Sequence, residues 1–137
     1  GDGMVRAIVQ ALDDAGLRAA DVGMVVAHGN GTRQSDASEA AAIRAVFGDD
    51  IPPISATKSL TGHSLGATGV QEAIYSILMM KNNFICESAN IDELDPEFED
   101  IPIIRERRDD AKIDVVMSNS FGFGGTNGSL IFQRYNG

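Results

Sequence analysis

A single cysteine, Cys86, stands in the 137-residue chain, so no internal disulfide can form. That fits a reducing compartment, and a cytoplasmic protein is expected. Long hydrophobic runs are lacking too. The best apolar stretch, Ala73 to Met80, contains Tyr75 and Ser76 and falls short of the roughly 20 residues a membrane helix needs. No signal peptide is visible. Basic residues are scarce: 11 Lys+Arg against 20 Asp+Glu leave a net charge of −9. A nucleic-acid binder needs a basic face to displace counterions from phosphates, so that class is excluded. The one basic cluster, Arg105-Glu106-Arg107-Arg108, is flanked by acids and reads as a solvated loop. Histidines number only two, and neither has metal-ligand spacing to a neighbour, so no metal centre is expected. Internal repeats, low-complexity segments and linkers are absent from the sequence.

What is present describes one soluble globular domain. Apolar residues make up 43% and charged residues 23%, and the length suffices for a real core. Val5, Ile8, Val9 and Leu12 recur at helical spacing until Asp13-Asp14-Ala15-Gly16 ends the pattern. Met24 to Ala27 reads as a short strand buried on both faces. Asp36-Ala37-Ser38-Glu39 has the pattern of a capping box, opening a helix over 40–47 that Gly48 closes. Ile54 to Thr57 reads as a second short strand. Leu65 to Lys81 reads as a helix apolar nearly all round, hence buried and central. Phe84-Ile85-Cys86 is extended, and Asn90 to Arg108 is an acidic, irregular excursion. Val115 to Ser120 and Leu130 to Phe132 flank a glycine-rich turn and should pair antiparallel. The alternation predicts an α/β layered, mixed sheet with an antiparallel C-terminal strand pair. The opening Gly1-Asp2-Gly3-Met4 runs straight into a helix, which reads as a cut through a longer protein.

Each histidine sits where a strand breaks into a glycine-bearing loop before a helix. That is where α/β proteins present side chains to a ligand. Gly62-His63-Ser64-Leu65-Gly66 has the form of a hydrolase nucleophile elbow. Chain order argues against that chemistry, because the base histidine should follow the serine and none does. Ser64 reads instead as the N-cap of the next helix. Gly122-Phe123-Gly124-Gly125-Thr126-Asn127 fails as a dinucleotide fingerprint, since no helix pattern follows, and reads as a hairpin turn. Cys86 has no elbow, and Glu87 beside it suppresses a thiolate, so a buried structural thiol is expected. Lys58 and Glu39 are either surface charges or a buried ion pair behind the histidines. A neutral His63 near a helix N-terminus can donate a hydrogen bond to an oxygen gaining negative charge.

Three ordered segments carry a family resemblance. They are His28-Gly29 with Asp36 and Glu39, then Lys58 to Gly66, then Asn119 to Asn127. Together they resemble the C-terminal part of the β-ketoacyl-acyl-carrier-protein synthases, and Gly62 to Met79 is most similar to the bacterial elongating members. The resemblance implies residues 1–137 as the C-terminal half-domain of a thiolase fold. The N-terminal half, which carries the nucleophilic cysteine, is missing, so this chain alone should not condense acyl groups. It implies an acyltransferase of fatty-acid synthesis that performs decarboxylative condensation of malonyl-carrier protein with an enzyme-bound acyl group. His28 and His63 would bind the thioester carbonyl. Lys58 and Glu39 would organise the site, and Phe123 would gate the acyl pocket and offer its backbone N–H to an oxyanion. Asn30 and Thr32 would hold the pantetheine arm. The implied partners are acyl carrier protein, the N-terminal half and a second copy in a homodimer; no cofactor, nucleic acid or membrane is implied. The family reads His-Gly-Thr-Ser-Thr-Pro where this chain reads His28-Gly29-Asn30-Gly31-Thr32-Arg33, a looser and more basic loop. The rival readings are a non-catalytic partner subunit of the chain-length-factor type and a polyketide-type ketosynthase. A thiolase would carry a second cysteine in the last motif, and there is none.

Overall fold

The computed structural model describes residues 1–136. Its eight main elements are α1 (Asp2–Ala15), β1 (Met24–Val26), α2 (Arg33–Phe47), β2 (Ile54–Ser55), α3 (Lys58–Thr61), α4 (Thr68–Asn82), β3 (Val115–Phe121) and β4 (Asn127–Gln133). The strands form one sheet in the order β2-β1-β3-β4. β1 runs parallel to both β2 and β3, with Val25 opposite Ile54 and Val26 opposite Ser118. β3 and β4 are antiparallel, with Met117 opposite Ile131. The mixed α/β sheet and its antiparallel C-terminal pair are as expected.

Side chains alternate across each strand, so the sheet needs cover on both faces. Val25, Val115, Met117 and Phe121 pack on one face against Ile8 and Leu12 of α1 and Ala40, Ile43 and Phe47 of α2. Met24, Val26 and Val116 pack on the other face against Met79 and Met80 of α4, with Ile85, Ile104 and Ile113. The segment 84–104 runs back along the β2 edge. It is tied there by a parallel bridge between Ile103 and Ile54, while Ile85 bridges Arg108 rather than forming a strand.

Three local expectations are corrected. α2 begins at Arg33, three residues before Asp36, with Thr32 at its N-cap. Asp36 therefore lies inside the first turn, where it accepts the Gly31 N–H at 3.3 Å, and no capping box forms with Glu39. Ser64 does not cap α4, which begins at Thr68 after a 3-10 turn over Leu65–Ala67. Most telling, α4 is not buried all round. It turns Thr68, Glu72, Ser76, Met79 and Met80 inward and leaves Val70 66%, Ile74 49% and Leu78 46% exposed. Residues four apart share a helix face, and here the polar stripe meets the sheet because Glu72 has an ionic partner beneath it.

α4 approaches β3 closely at Gly69, where an added Cβ would lie 3.2 Å from Ser120 Oγ. That contact brings the N-terminal end of α4 over the tips of β1 and β3. Gly69→Val should lose about 1–3 kcal/mol to overpacking, read as a lower denaturant midpoint. Gly66→Ala, with nothing within 4 Å of its added carbon, should stay within about 0.5 kcal/mol of the parent.

Candidate active site

His28 lies two residues beyond β1 and is buried. Its peptide unit is gripped from both sides. The His28 N–H donates to Glu39 Oε2 at 2.8 Å, and the Gly29 N–H donates to Oε1 at 2.9 Å. On the other side, the Lys58 ammonium donates to the His28 carbonyl at 2.5 Å. The turn that permits this grip needs Gly29. Its φ is +51°, and a Cβ would stand 3.0 Å from Ala56 Cβ.

Lys58 and Glu39 do not form the ion pair foreseen behind the histidines. Lys58 bonds Glu72 of α4, and both side chains are buried. Glu39 instead spends both oxygens on main-chain donors. The reason is geometric: α2 starts a turn early, which aims Glu39 at the end of β1, while α4 lays Glu72 over α3. The sequence analysis missed Glu72. The available signal was the lone carboxylate of that helix, four residues from Thr68 and four from Ser76. Burial pushes the Glu72 carboxyl up, and the hydrogen bond and charge of Lys58 act against that shift.

Both imidazoles are oriented through Nδ1. His28 Nδ1 accepts the Phe121 N–H at 3.3 Å. His63 Nδ1 accepts the Leu65 N–H at 3.2 Å and lies 3.0 Å from Thr68 Oγ1. A ring nitrogen that accepts from a backbone N–H carries no proton, so in each neutral ring the proton sits on Nε2. The rings meet edge to face, with centroids 5.3 Å apart. Burial, the Lys58 charge and His63 lower the His28 pKa to about 4, so His28 is neutral at pH 7. Phe121 is a second residue not singled out from the sequence; it supplies the His28 anchor and sets its ring, tilted by 54°, 6.0 Å from the imidazole.

A cleft of about 990 Å³ brings together His28, His63, Asn30, Thr32 and Phe123. Glu39 and Lys58 do not line it; they act from behind. Phe123 is 98% exposed on the turn between β3 and β4, and its side chain is unpacked in this chain. Asn30 Oδ1 accepts both the Thr32 N–H and the Thr32 hydroxyl at 2.9 Å, leaving the Asn30 amide nitrogen directed elsewhere. Gly29, Gly31 and Glu39 face a second, mostly apolar cavity of about 600 Å³ on the far side of the same loop. Successive residues of 28–32 thus face alternate cavities, and the loop is the wall between them. Cys86 is only half-buried, and burial followed by the Glu87 charge pushes its thiol up. Ser64 makes no side-chain hydrogen bond among the described residues, so nothing there activates it as a nucleophile.

A mixed sheet that carries one imidazole just beyond β1, with a second brought against it from the loop between α3 and α4, is a thiolase-like ketosynthase fold. The chain belongs to the family described as beta-ketoacyl synthase, C-terminal domain, which matches residues 1–92. It is 50% identical over 137 residues to 3-oxoacyl-acyl-carrier-protein synthase 1 of Haemophilus influenzae, covering 100% of this chain and 33% of that protein. Among solved structures, it superposes on a beta-ketoacyl synthase from Burkholderia phymatum with a TM-score of 0.89 and 45% identity, covering 97% of this chain and 32% of that one. It also superposes on the ishigamide ketosynthase/chain length factor with a TM-score of 0.94 and 38% identity, covering 98% of this chain and 33% of that one. The chain therefore spans about a third of the length of the relatives it matches.

Two outcomes follow from the buried charges. Lys58→Met leaves Glu72 buried and unpaired and should cost about 3–5 kcal/mol. Lys58→Met with Glu72→Leu should recover most of that in urea denaturation, whereas Lys58→Met with Glu39→Gln should not. Glu39 is held by burial at about 7, above its ordinary 4.5, despite the two N–H donors that pull it down. The folded chain therefore keeps a proton that the unfolded chain releases, and stability from this group falls as pH rises from 4.5 to 7. In Glu39→Gln that component of the pH slope, on the order of a few kcal/mol, should vanish.

Proposed function

We propose that this chain forms the malonyl-binding part of a 3-oxoacyl-acyl-carrier-protein synthase, an acyltransferase that elongates fatty acids in the cytoplasm. The carrying observation is the pair of imidazoles whose Nδ1 atoms both accept backbone N–H groups. Among the described residues neither Nε2 has a hydrogen-bond partner, so both Nε2–H groups would donate to one oxygen between them.

The chemistry suits such a pair. A malonyl thioester that loses CO₂ keeps the electron pair of the broken C–C bond, and the charge spreads onto the thioester oxygen as an enolate. Two uncharged N–H donors stabilise charge that exists only near the transition state, and no base is required because decarboxylation makes the nucleophile. Each such donor is worth about 3–4 kcal/mol. The enolate carbon then attacks an acyl thioester on a cysteine, and the thiolate leaves. That cysteine would belong to the rest of the fold, of which this chain spans about a third by the length of its relatives, and Cys86 is no substitute.

Lys58 and Glu39 serve as positioning residues for His28, with Glu72 holding Lys58. Phe123, unpacked here, would gate the acyl pocket, with its backbone N–H offered to an oxyanion. Asn30 and Thr32 would meet the pantetheine arm of the carrier protein. The outward apolar stripe of α4 (Val70, Ile74, Leu78) suits burial against the N-terminal half, and the assembled enzyme would be a homodimer. A non-catalytic partner subunit has no use for two oriented Nε2–H donors, which favours the catalytic reading.

In the full-length enzyme, His28→Ala or His63→Ala should each lower malonyl-carrier decarboxylation by about 10²–10³-fold. Unchanged CO₂ release from both variants would remove the assignment.

A further inference from the structure

Of the two imidazoles, His63 is the one held by a loop. It lies between α3 and α4 in an exposed stretch, and its backbone anchor is under strain. Leu65, whose N–H reaches Nδ1, has φ +53°, a region that a leucine rarely adopts. The other group at Nδ1 is on firmer ground. Thr68 is the first residue of α4 and is 4% exposed, and the adjacent Gly69 sits tight against Ser120 of β3.

We propose that Thr68 is a positioning residue for His63, its hydroxyl donating to Nδ1 so that the ring keeps its proton on Nε2 and its place beside His28. The inference rests on the function proposed above for the histidine pair. At 3.0 Å, Nδ1 is the only hydrogen-bond partner of Thr68 Oγ1 among the described residues. A buried hydroxyl with one partner uses it, since a lost donor bond in a dry site is costly. The Leu65 N–H already points at Nδ1. A proton on Nδ1 would therefore meet that donor head on, cost the Leu65 bond and force Thr68 to reverse its hydroxyl. Thr68 thus couples a loop-borne catalytic ring to a helix packed on the sheet. Sites fixed by helices and strands hold their geometry better than sites fixed by loops alone.

Thr68→Val keeps the shape and removes the donor, whereas Thr68→Ser keeps the donor and removes the methyl group. In the full-length enzyme, Thr68→Val should lower kcat for malonyl-carrier decarboxylation by about 3–10-fold, the worth of one neutral hydrogen bond, with KM within about a factor of two. Nitrogen-15 spectra of the histidine-labelled protein should show the His63 ring gaining Nδ1–H tautomer in the Val variant. Thr68→Ser should restore both readouts. Wild-type kcat with unmoved His63 signals in Thr68→Val would overturn the proposal, as would equal impairment in Ser and Val. If Val fails to fold, Thr68→Ala compared with Ser decides by the same criteria. Should the parent enzyme release no CO₂ from malonyl-carrier protein, the proposed function fails, while the tautomer measurement still decides what Thr68 does.

Discussion

The His28 peptide unit is the point on which the site depends. A carboxylate holds its N–H and an ammonium holds its carbonyl, both from residues buried in the domain. Main-chain groups at a strand end would otherwise need water or a neighbouring strand. Here Glu39 and Lys58 take those roles, so the imidazole leaves the sheet in one direction only. Such an arrangement is costly, because three ionisable side chains leave water, and its return is a fixed backbone rather than net stability. Charge also reaches the ring itself: the Lys58 ammonium behind the carbonyl helps keep the imidazole neutral.

The second imidazole depends on the first through the sheet. Val26 pairs with Ser118, so the chain two residues beyond β1 comes level with the end of β3. That register delivers the Phe121 N–H to His28 and sets Ser120 against Gly69 at the start of α4. α4 in turn carries Thr68 to His63 and Glu72 to Lys58. One helix therefore serves both histidines, from two positions one turn apart on a single polar stripe. This explains why Thr68, Glu72 and Ser76 face the sheet while Val70, Ile74 and Leu78 face outward, a reversal of the usual amphipathic pattern that ends where Met79 and Met80 turn inward.

Much of the fold was legible in the sequence for local reasons. Strands of a doubly covered sheet read as short apolar runs, and Met24 to Ala27 and Val115 to Ser120 stood out. The spacing of Val5, Ile8 and Leu12 marked α1. Helix beginnings were less legible, because Asp36 and Ser64 are good capping residues that the folded chain employs otherwise or leaves unbonded. The burial of α4 was misjudged because periodicity reports which residues share a face. It does not report which face meets the sheet.

The sequence by itself determined the residue types of the site and the placement of His28 after a strand: two histidines, each beside glycine, with a lysine and carboxylates close in the chain; His63 follows the short helix α3 instead. It determined this much because motif and strand patterns are local. Which carboxylate meets which cation was settled only in three dimensions. Glu39 and Glu72 are equally able to pair with Lys58 by chemistry, and the choice fell to where α2 begins and how closely α4 packs on β3. The same holds for the proton on each imidazole, set by backbone N–H groups at Leu65 and Phe121 whose direction no side-chain pattern encodes.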